Sequence, residues 1–169
     1  MAELLIGCGN RRDKILSIKG REAWSDLVTL DHMPDCQPDV VHDLEVLPYP
    51  FDDNQFTEIH APCVLEHVGR QGDWRFWFAQ WTEFARILNP GGLFFGAVPL
   101  PDSVWAWGDP SHTRVITKDQ FVFLSQAAYE MVGRSTMSDF RSVYKADFTL
   151  IHHENTADQL LFVLQVHKE

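Results

Sequence analysis

The most constraining feature of the sequence is an apolar run that ends in two closely spaced glycines. Residues 4–6 are Leu-Leu-Ile, and Gly7 and Gly9 follow directly. Such a run predicts a buried strand, and the glycines predict a tight turn in which the backbone can approach a ligand closely. Asp31 stands 22 positions after Gly9. That spacing is close to the roughly 20 residues expected between the glycine turn and the ribose-binding acid of a nucleotide-binding βαβ unit.

Two later stretches carry helix signals. Residues 73–88 have a wide apolar stripe at three- and four-residue spacing, with Asp73 as N-cap and Pro-Gly-Gly shortly after it, and we predict a long helix packed against the core. Thr117 and Gln120 have the spacing of a capping box and predict a second helix that ends at Gly133.

Strand signals alternate with these helices. The polar residues 10–25 lie between the first two strand signals and show no more than a weak helix pattern. The predicted strands are residues 4–6, 27–30, 40–41, 58–61, 93–98, 148–151 and 160–166. The pattern predicts an α/β fold with an open, mostly parallel seven-stranded sheet whose last two strands form an antiparallel hairpin.

Composition limits the class of protein further. The chain of 169 residues has a formal net charge of −10, which disfavours a general nucleic-acid or anionic-membrane binder. Three cysteines with no C-x-x-C pair predict neither a disulfide framework nor a zinc site, and they fit a reducing cytoplasm. No secretory leader or membrane-spanning run is predicted. We therefore expect a single cytoplasmic domain over residues 1–169, of undetermined oligomeric state.

The glycine turn also limits the nucleotide. The dinucleotide fingerprint G-x-G-x-x-G needs a glycine where Arg12 stands, and no P-loop motif occurs. A nicotinamide dehydrogenase is therefore disfavoured. A glycine turn without phosphate-binding machinery suits a nucleoside that carries no pyrophosphate.

The chain resembles the class I S-adenosylmethionine-dependent methyltransferases over most of its length. The passages that carry the resemblance are L-L-I-G-C-G-N at 4–10, V-T-L-D at 28–31, D-V-V-H-D-L at 39–44, the run from 47 to 68, and R-I-L-N-P-G-G-L-F-F-G-A-V-P at 86–99. The run from 47 to 68 is similar to the family's LPFPDNSFDEI…VLEHV segment. The resemblance implies a Rossmann-like, doubly wound fold.

The resemblance also implies a cofactor site for S-adenosylmethionine, with S-adenosylhomocysteine as product. By this resemblance, Asp31 would hold the ribose, Asp43 and Leu44 would flank the adenine, and the glycine turn would lie under the methionine part. The implied cofactor-binding residues are Gly7, Cys8, Gly9, Asn10, Asp31, His32, Asp43, Leu44, Ala61 and Pro62. The function implied is methyl transfer to an unidentified small-molecule or exposed-group acceptor, mainly by positioning.

Two departures from the family pattern leave an alternative open. The family usually has an acid at the position of Leu5, where it reaches the ammonium group of the cofactor. Here Glu3, Asn10 or a backbone carbonyl must take that role, or the affinity for the cofactor is modest. The chain also begins at its first strand, so we expect a minimal domain without the N-terminal cap helices. Both features fit a catalytically inactive, methyltransferase-like cofactor-binding or scaffold module as the second hypothesis.

Residues 99–116 form a long connection after the fifth strand, on the side where ligands bind. Its D-P-S-H piece is similar to a DPTH element of several methyltransferases of this type. We predict a substrate-side loop in which His112 is a general base or an anchor that fixes the loop, and Asp109 shares its catalytic role. Trp105, Trp107 and Arg114 are the predicted substrate contacts.

The remaining notable residues are predicted to be structural. Cys8 and Cys63 fit small apolar packing positions better than nucleophiles. His152 and His153 are adjacent on a strand, face opposite sides and cannot share one metal ion. No chemistry is assigned to the Glu66-His67 pair.

Overall fold

The computed structural model describes residues 2–168, which form one seven-stranded sheet with its covering segments. The strands are β1 (Ala2–Ile6), β2 (Leu27–Asp31), β3 (Val40–Val41), β4 (Phe56–Pro62), β5 (Leu88–Pro99), β6 (Asp147–Asn155) and β7 (Gln159–His167). Their order is β3-β2-β1-β4-β5-β7-β6. β1 to β5 are parallel, and β7 pairs antiparallel with both β5 and β6. The predicted doubly wound α/β sheet with its C-terminal antiparallel hairpin is confirmed.

Strand register brings the ends of the central strands to one edge. Ile6 of β1 lies opposite Leu30 of β2, and Leu5 lies opposite His60 of β4. The chain winds outwards in both directions from β1, so the connections after β1 and β4 diverge at this edge. That divergence leaves the crevice in which doubly wound sheets bind ligands.

The long predicted helix is confirmed as α1 (Trp74–Ile87). The Asp73 side chain accepts a hydrogen bond from the Phe76 amide at 3.1 Å, as an N-cap does. Phe78, Trp81 and Phe84 are buried against the sheet. The stripe is not core throughout, because Trp74 lies at its rim and is 36% exposed.

The prediction of a second α-helix is wrong. The capping box of Thr117 and Gln120 is present, but it begins a 3-10 segment, Lys118–Leu124, followed by another, Ala127–Met131. The two are separated at Gln126, whose amide donates to the Asp147 carboxylate and whose side chain donates to the Tyr144 and Ala146 carbonyls. These bonds to the start of β6 break the helical register that the apolar spacing suggested.

The two faces of the sheet are covered differently. Leu4 and Ile6 point into the main core under α1 and the 3-10 segments. The opposite face, which carries Glu3 and His60, is covered by the irregular residues 10–26 in place of a helix. A short helix, α2 (Val104–Gly108), lies within the 99–116 connection. In residues 2–168, no helix has the length and apolarity to cross a bilayer.

Candidate functional site

A cleft of about 560 Å³ opens at the carboxyl ends of β1, β2 and β3. We call it the first cleft. Gly7, Asp31, Asp43 and Leu44 line it, as predicted for the cofactor site. Its other lining residues include three that were not predicted to bind the cofactor, namely His42, Val64 and His67. His32 is also at its wall, with a largely exposed side chain.

Asp31 connects the two turns that border the first cleft. It is buried, its Oδ2 accepts from the Gly9 amide at 2.8 Å, and its Oδ1 accepts from the Met33 amide at 2.9 Å. Each carboxylate oxygen has a further lone pair for a ligand hydroxyl. The 22-residue spacing seen in the sequence therefore corresponds to a direct contact between the glycine turn and the acid.

The two glycines of the turn are needed for different reasons. Gly7 has φ of 60°, and a Cβ there would lie 2.5 Å from Val64 Cγ2. Gly9 also has a positive φ, 49°, but a Cβ there would meet open space. Gly7 is therefore fixed by packing against the β4 end as well as by its backbone conformation.

Arg12 has a structural role in place of the glycine of a dinucleotide fingerprint. Its guanidinium donates to the Gly9 carbonyl at 2.8 Å and to the Cys36 carbonyl at 2.9 Å. It thus holds the glycine turn against the loop that follows β2.

A second cleft, of about 400 Å³, lies on the other side of Gly7. The predicted residues Cys8 and Pro62 line it, together with Leu5. Ala61 is fully buried behind it, and Asn10 is exposed in the turn. Gly7 and Cys63 belong to both clefts, so the two adjoin across the end of β1.

The structure corrects one expectation for the missing acid. Glu3 does not reach the second cleft, because its side chain is buried against Lys14 at 2.8 Å. Asp13 lines this cleft instead, with its carboxylate largely exposed and 3.6 Å from the Arg11 guanidinium. Nothing in the local sequence distinguishes Asp13, because its position depends on the path of the irregular segment.

A third cleft, of about 500 Å³, lies under the 99–116 connection. Asp109, His112 and Trp105 line it, which brings three predicted loop residues together. Cys63 and His67 connect it to the first cleft. Trp107 is largely exposed on α2, and its indole donates to the Pro101 carbonyl at 2.9 Å.

Cys63 marks the junction of all three clefts. It has φ of 56°, a left-handed conformation that non-glycine residues rarely adopt outside functional or strained positions. Its Sγ accepts from Gln159 Nε2 at 2.9 Å, and burial raises the pKa of its thiol. A raised pKa disfavours a thiolate nucleophile, as predicted. The predicted packing role is wrong for Cys63, which is exposed, whereas Cys8 is buried as predicted.

A cluster of Glu66, His67 and His112 lies between the first and third clefts, and we call it the open cluster. Each of the three has a ligand-type atom within 4.8 Å of the others. Burial raises the pKa of Glu66 to about 7, and burial together with the nearby His112 lowers the pKa of His67. No chemistry was predicted for the Glu66-His67 pair, because no feature of the neighbouring sequence indicates that His112 lies beside it.

Arg114 positions the chain segment that carries Glu66 of the open cluster. It is buried, its Nε donates to the Leu65 carbonyl at 2.8 Å, and another nitrogen donates to Gln80 Oε1 at 2.7 Å. Gln80 in turn donates to the Tyr49 hydroxyl, which donates to the Leu44 carbonyl in the first cleft. Arg114 therefore lies away from the third cleft, beside Trp77 and α1, and its bonds position the turn that carries Glu66.

A second carboxylate–histidine cluster, Glu3, Lys14, Glu58 and His60, lies on the opposite face of the sheet. We call it the filled cluster. Lys14 Nζ lies 2.8 Å from both Glu3 and Glu58, and His60 Nε2 lies 2.9 Å from Glu58. Although burial alone raises the pKa of Glu58, its bonds to His60, Lys14 and Arg21 outweigh that and lower it to about 2. This cluster is structural, because its own ammonium group occupies the centre.

Comparison with known proteins agrees with this geometry at the level of fold. No protein-family model matches the chain, and no curated protein matches its sequence. Solved structures do match. A SAM-dependent methyltransferase from Archaeoglobus fulgidus aligns with a TM-score of 0.58 and 12% identity, over 97% of this chain and 85% of that one.

Two further matches contain S-adenosylhomocysteine. The 1,6-didemethyltoxoflavin-N1-methyltransferase of Burkholderia thailandensis has a TM-score of 0.57 and 14% identity, over 99% of this chain and 71% of that one. The N-methyltransferase NodS of Bradyrhizobium japonicum has a TM-score of 0.54 and 16% identity, over 99% of this chain and 78% of that one. The chain has the fold of the SAM-dependent methyltransferases, and the resemblance seen in the sequence is confirmed for the fold.

Proposed function

We propose that this protein is an S-adenosylmethionine-dependent methyltransferase. The observation that carries the proposal is the groove formed by the first and second clefts, which runs across Gly7 at the carboxyl ends of the central strands. Asp31 lies at its wall, where a nucleoside ribose binds in folds of this class. The likeness to methyltransferases with bound S-adenosylhomocysteine supports the same assignment.

Within this groove we assign one part of the cofactor to each cleft. The adenosine lies in the first cleft, with its ribose hydroxyls on Asp31 and its adenine beside Asp43 and Leu44. The methionine part lies in the second cleft, over Gly7 and Cys8. We assign the ammonium group to Asp13, which takes the place of the acid replaced by Leu5, because it is the carboxylate that lines this cleft.

The acceptor, a small molecule or an exposed group, enters the third cleft. Trp105 offers an aromatic wall there, and Trp107 lies nearby on the outer side of α2. The sulfonium is a strong electrophile, so the main contribution of the protein is in-line positioning and exclusion of water. His112, with Asp109 beside it, accepts a proton where the acceptor carries one.

Titration calorimetry with S-adenosylhomocysteine tests the cofactor assignment, with NADH as the control ligand. We expect saturable one-to-one binding of S-adenosylhomocysteine and none of NADH. Asp31→Ala should weaken binding at least tenfold, because a charge-assisted hydrogen bond contributes about 1.5–3 kcal/mol. The matched control is Asp35→Ala, which removes the same charge from an exposed position four residues on. Equal affinity in the two variants contradicts the assignment.

The alternative, a cofactor-binding or scaffold module without activity, is supported by Leu5 and by the pairing of Asp13 with Arg11. A panel of acceptors with methyl-labelled S-adenosylmethionine separates the two. Tight S-adenosylhomocysteine binding with no transfer to any acceptor favours the module. His112→Ala should keep cofactor affinity and change turnover, since His112 lines the third cleft and not the first two.

A further inference from the structure

The open cluster contains buried acceptor atoms that nothing in residues 2–168 satisfies. Glu66 is 2% exposed, and its Oε2 has no hydrogen-bond partner there. The His112 side chain is 8% exposed, and its Nδ1 also has no partner. A buried polar atom without a partner costs about 1–3 kcal/mol, more when it is charged, so two of them side by side point to a missing ligand.

The surroundings prepare both histidines as ligands. His67 Nδ1 lies 3.3 Å from the Ser111 carbonyl, an acceptor, which favours the tautomer with the proton on Nδ1 and the lone pair on Nε2. Asp109 Oδ2 lies 3.7 Å from His112 Nε2, beyond hydrogen-bond distance, and its charge favours the opposite tautomer, with the lone pair on the unpartnered Nδ1. A carbonyl or carboxylate behind each imidazole is the usual second layer of a metal site.

We propose that Glu66, His67 and His112 bind one divalent first-row transition-metal ion. Two imidazoles and a carboxylate are a ligand set that such ions favour over Mg²⁺ and Ca²⁺. Ligand atoms of one ion at about 2.1 Å lie at most about 4.2 Å apart. Here one ligand-type atom from each of the three residues lies within 4.8 Å of the others. The side chains need to draw together only slightly.

The position of this site suggests its use, and this step rests on the proposed methyltransferase function. Three protein ligands leave coordination positions open to water or substrate. Those positions face the third cleft, which both Glu66 and His112 line. The acceptor class that fits is one with a hydroxyl, carboxylate or similar oxygen donor, which the ion would hold beside the cofactor groove. With the ion bound, the single lone pair of neutral His112 is used for the metal, so His112 is then a ligand in place of the proton acceptor of the metal-free mechanism.

The filled cluster is the internal control for this inference. Glu3, Glu58 and His60 form a comparable set of ligand atoms, but Lys14 already supplies the positive charge between the two carboxylates. His60 Nδ1 also has no partner in residues 2–168, so an unpartnered imidazole nitrogen occurs in both clusters.

The open cluster differs in its charge balance, because no lysine or arginine in residues 2–168 forms an ion pair with Glu66. Burial raises the pKa of Glu66 more than the charge of the buried Arg114 lowers it, and the hydrogen bonds of Arg114 go to the Leu65 carbonyl and Gln80. The unpartnered carboxylate oxygen of Glu66 and the different charge balance identify the open cluster as the site.

The test is titration of the untagged, chelator-treated full chain with Co²⁺ and Zn²⁺. We expect one ion per chain with a dissociation constant in the micromolar range or tighter, visible absorption bands for Co²⁺, and no comparable binding of Mg²⁺. Glu66→Gln and His112→Ala should each weaken binding at least about 100-fold. His153→Ala, on the exposed part of β6, is the matched histidine control and should bind as wild type does.

Three outcomes overturn the inference: no Co²⁺ or Zn²⁺ binding by the wild type, equal binding by the cluster variants, or the same loss in His153→Ala. Circular dichroism and S-adenosylhomocysteine affinity verify that the variants fold. The two proposals fail separately. If the protein binds S-adenosylhomocysteine but no metal ion, only the metal-site proposal is rejected. If it binds the metal ion but not S-adenosylhomocysteine, only the methyltransferase proposal is rejected.

Discussion

The molecule contains two clusters of carboxylates and histidines that differ in how their charge is balanced. In the filled cluster, Lys14 lies between Glu3 and Glu58, and its side chain is as buried as theirs. In the open cluster, the buried Glu66 has a carboxylate oxygen without a partner in residues 2–168, and His112 Nδ1 has none there either. In the filled cluster the unpartnered buried atom among these residues is His60 Nδ1, while the carboxylates are paired. The same residue types therefore stabilise the fold at one place and leave capacity for a ligand at the other. Four predictions test this difference, from the largest effect to the smallest.

Lys14→Met should lower the free energy of unfolding by about 3–5 kcal/mol, because it leaves two buried carboxylates without their cation. Urea unfolding at pH 7.5 measures this. Lys19→Met is the matched control, since Lys19 is exposed, and we expect a change below about 0.5 kcal/mol there. A Lys14→Met variant as stable as this control would show that the filled cluster does not depend on its ammonium group.

Acid should destabilise the protein through the filled cluster. The pKa of Glu58 is about 2 in the fold against an ordinary value of 4.5, so the unfolded chain binds more protons as the pH falls. The ionised Glu58 therefore adds to the free energy of unfolding above pH 4.5, and this contribution is lost as the pH falls through 2. About 2 kcal/mol of it is lost by pH 3. Burial lowers the pKa of His60, which adds a loss of the same sign starting near pH 6.5.

Urea unfolding between pH 7.5 and pH 3 measures this dependence. Glu58→Gln should show a flatter profile than the wild type, because the amide does not titrate. An identical pH profile in the two proteins argues against a lowered Glu58 pKa.

Glu66→Gln should change the free energy of unfolding by no more than about 1 kcal/mol at pH 7.5. Glu66 forms no ion pair in residues 2–168, and burial, which raises its pKa, outweighs its interaction with the charge of the buried Arg114. An amide of the same shape occupies its space without the cost of a buried charge. Glu58→Gln, in the filled cluster, is the comparison and should cost more. Equal losses in these two variants would mean that the two clusters are energetically alike.

Asp109→Asn should have the smallest effect on stability, below about 0.5 kcal/mol, because its carboxylate is on the protein surface. The same change should weaken Co²⁺ binding about tenfold, since Asp109 orients His112 rather than binding the ion. If Asp109→Asn lowers the free energy of unfolding and leaves the Co²⁺ affinity unchanged, Asp109 stabilises the fold and does not orient His112.

The sheet order and the Asp31 contact could be predicted because they depend on local signals. Strand patterns, the glycine turn and the 22-residue spacing are all visible in the sequence. The break at Gln126 could not be predicted, because it depends on bonds to residues about 20 positions away. The shape of the capping box alone does not decide between an α-helix and a 3-10 segment.

The two clusters were beyond prediction for the same reason. Glu66 and His112 are brought together by backbone bonds from Thr113 and Arg114 to the Glu66 carbonyl. Lys14 reaches Glu58 because of the path of an irregular segment that no periodicity specifies. Asp13, which we assign to the cofactor ammonium group, follows from that same path.

The irregular cover of one sheet face has a consequence for how the molecule opens. Residues 10–26 lack the repeating backbone hydrogen bonds of a helix, so their amides should exchange with solvent well before those of α1. Local opening of this segment withdraws Lys14, Arg12 and Asp13 together while the core under α1 stays intact. Ligand occupancy in the second cleft is then linked to the fraction of time this segment is closed, and S-adenosylhomocysteine should slow its hydrogen exchange.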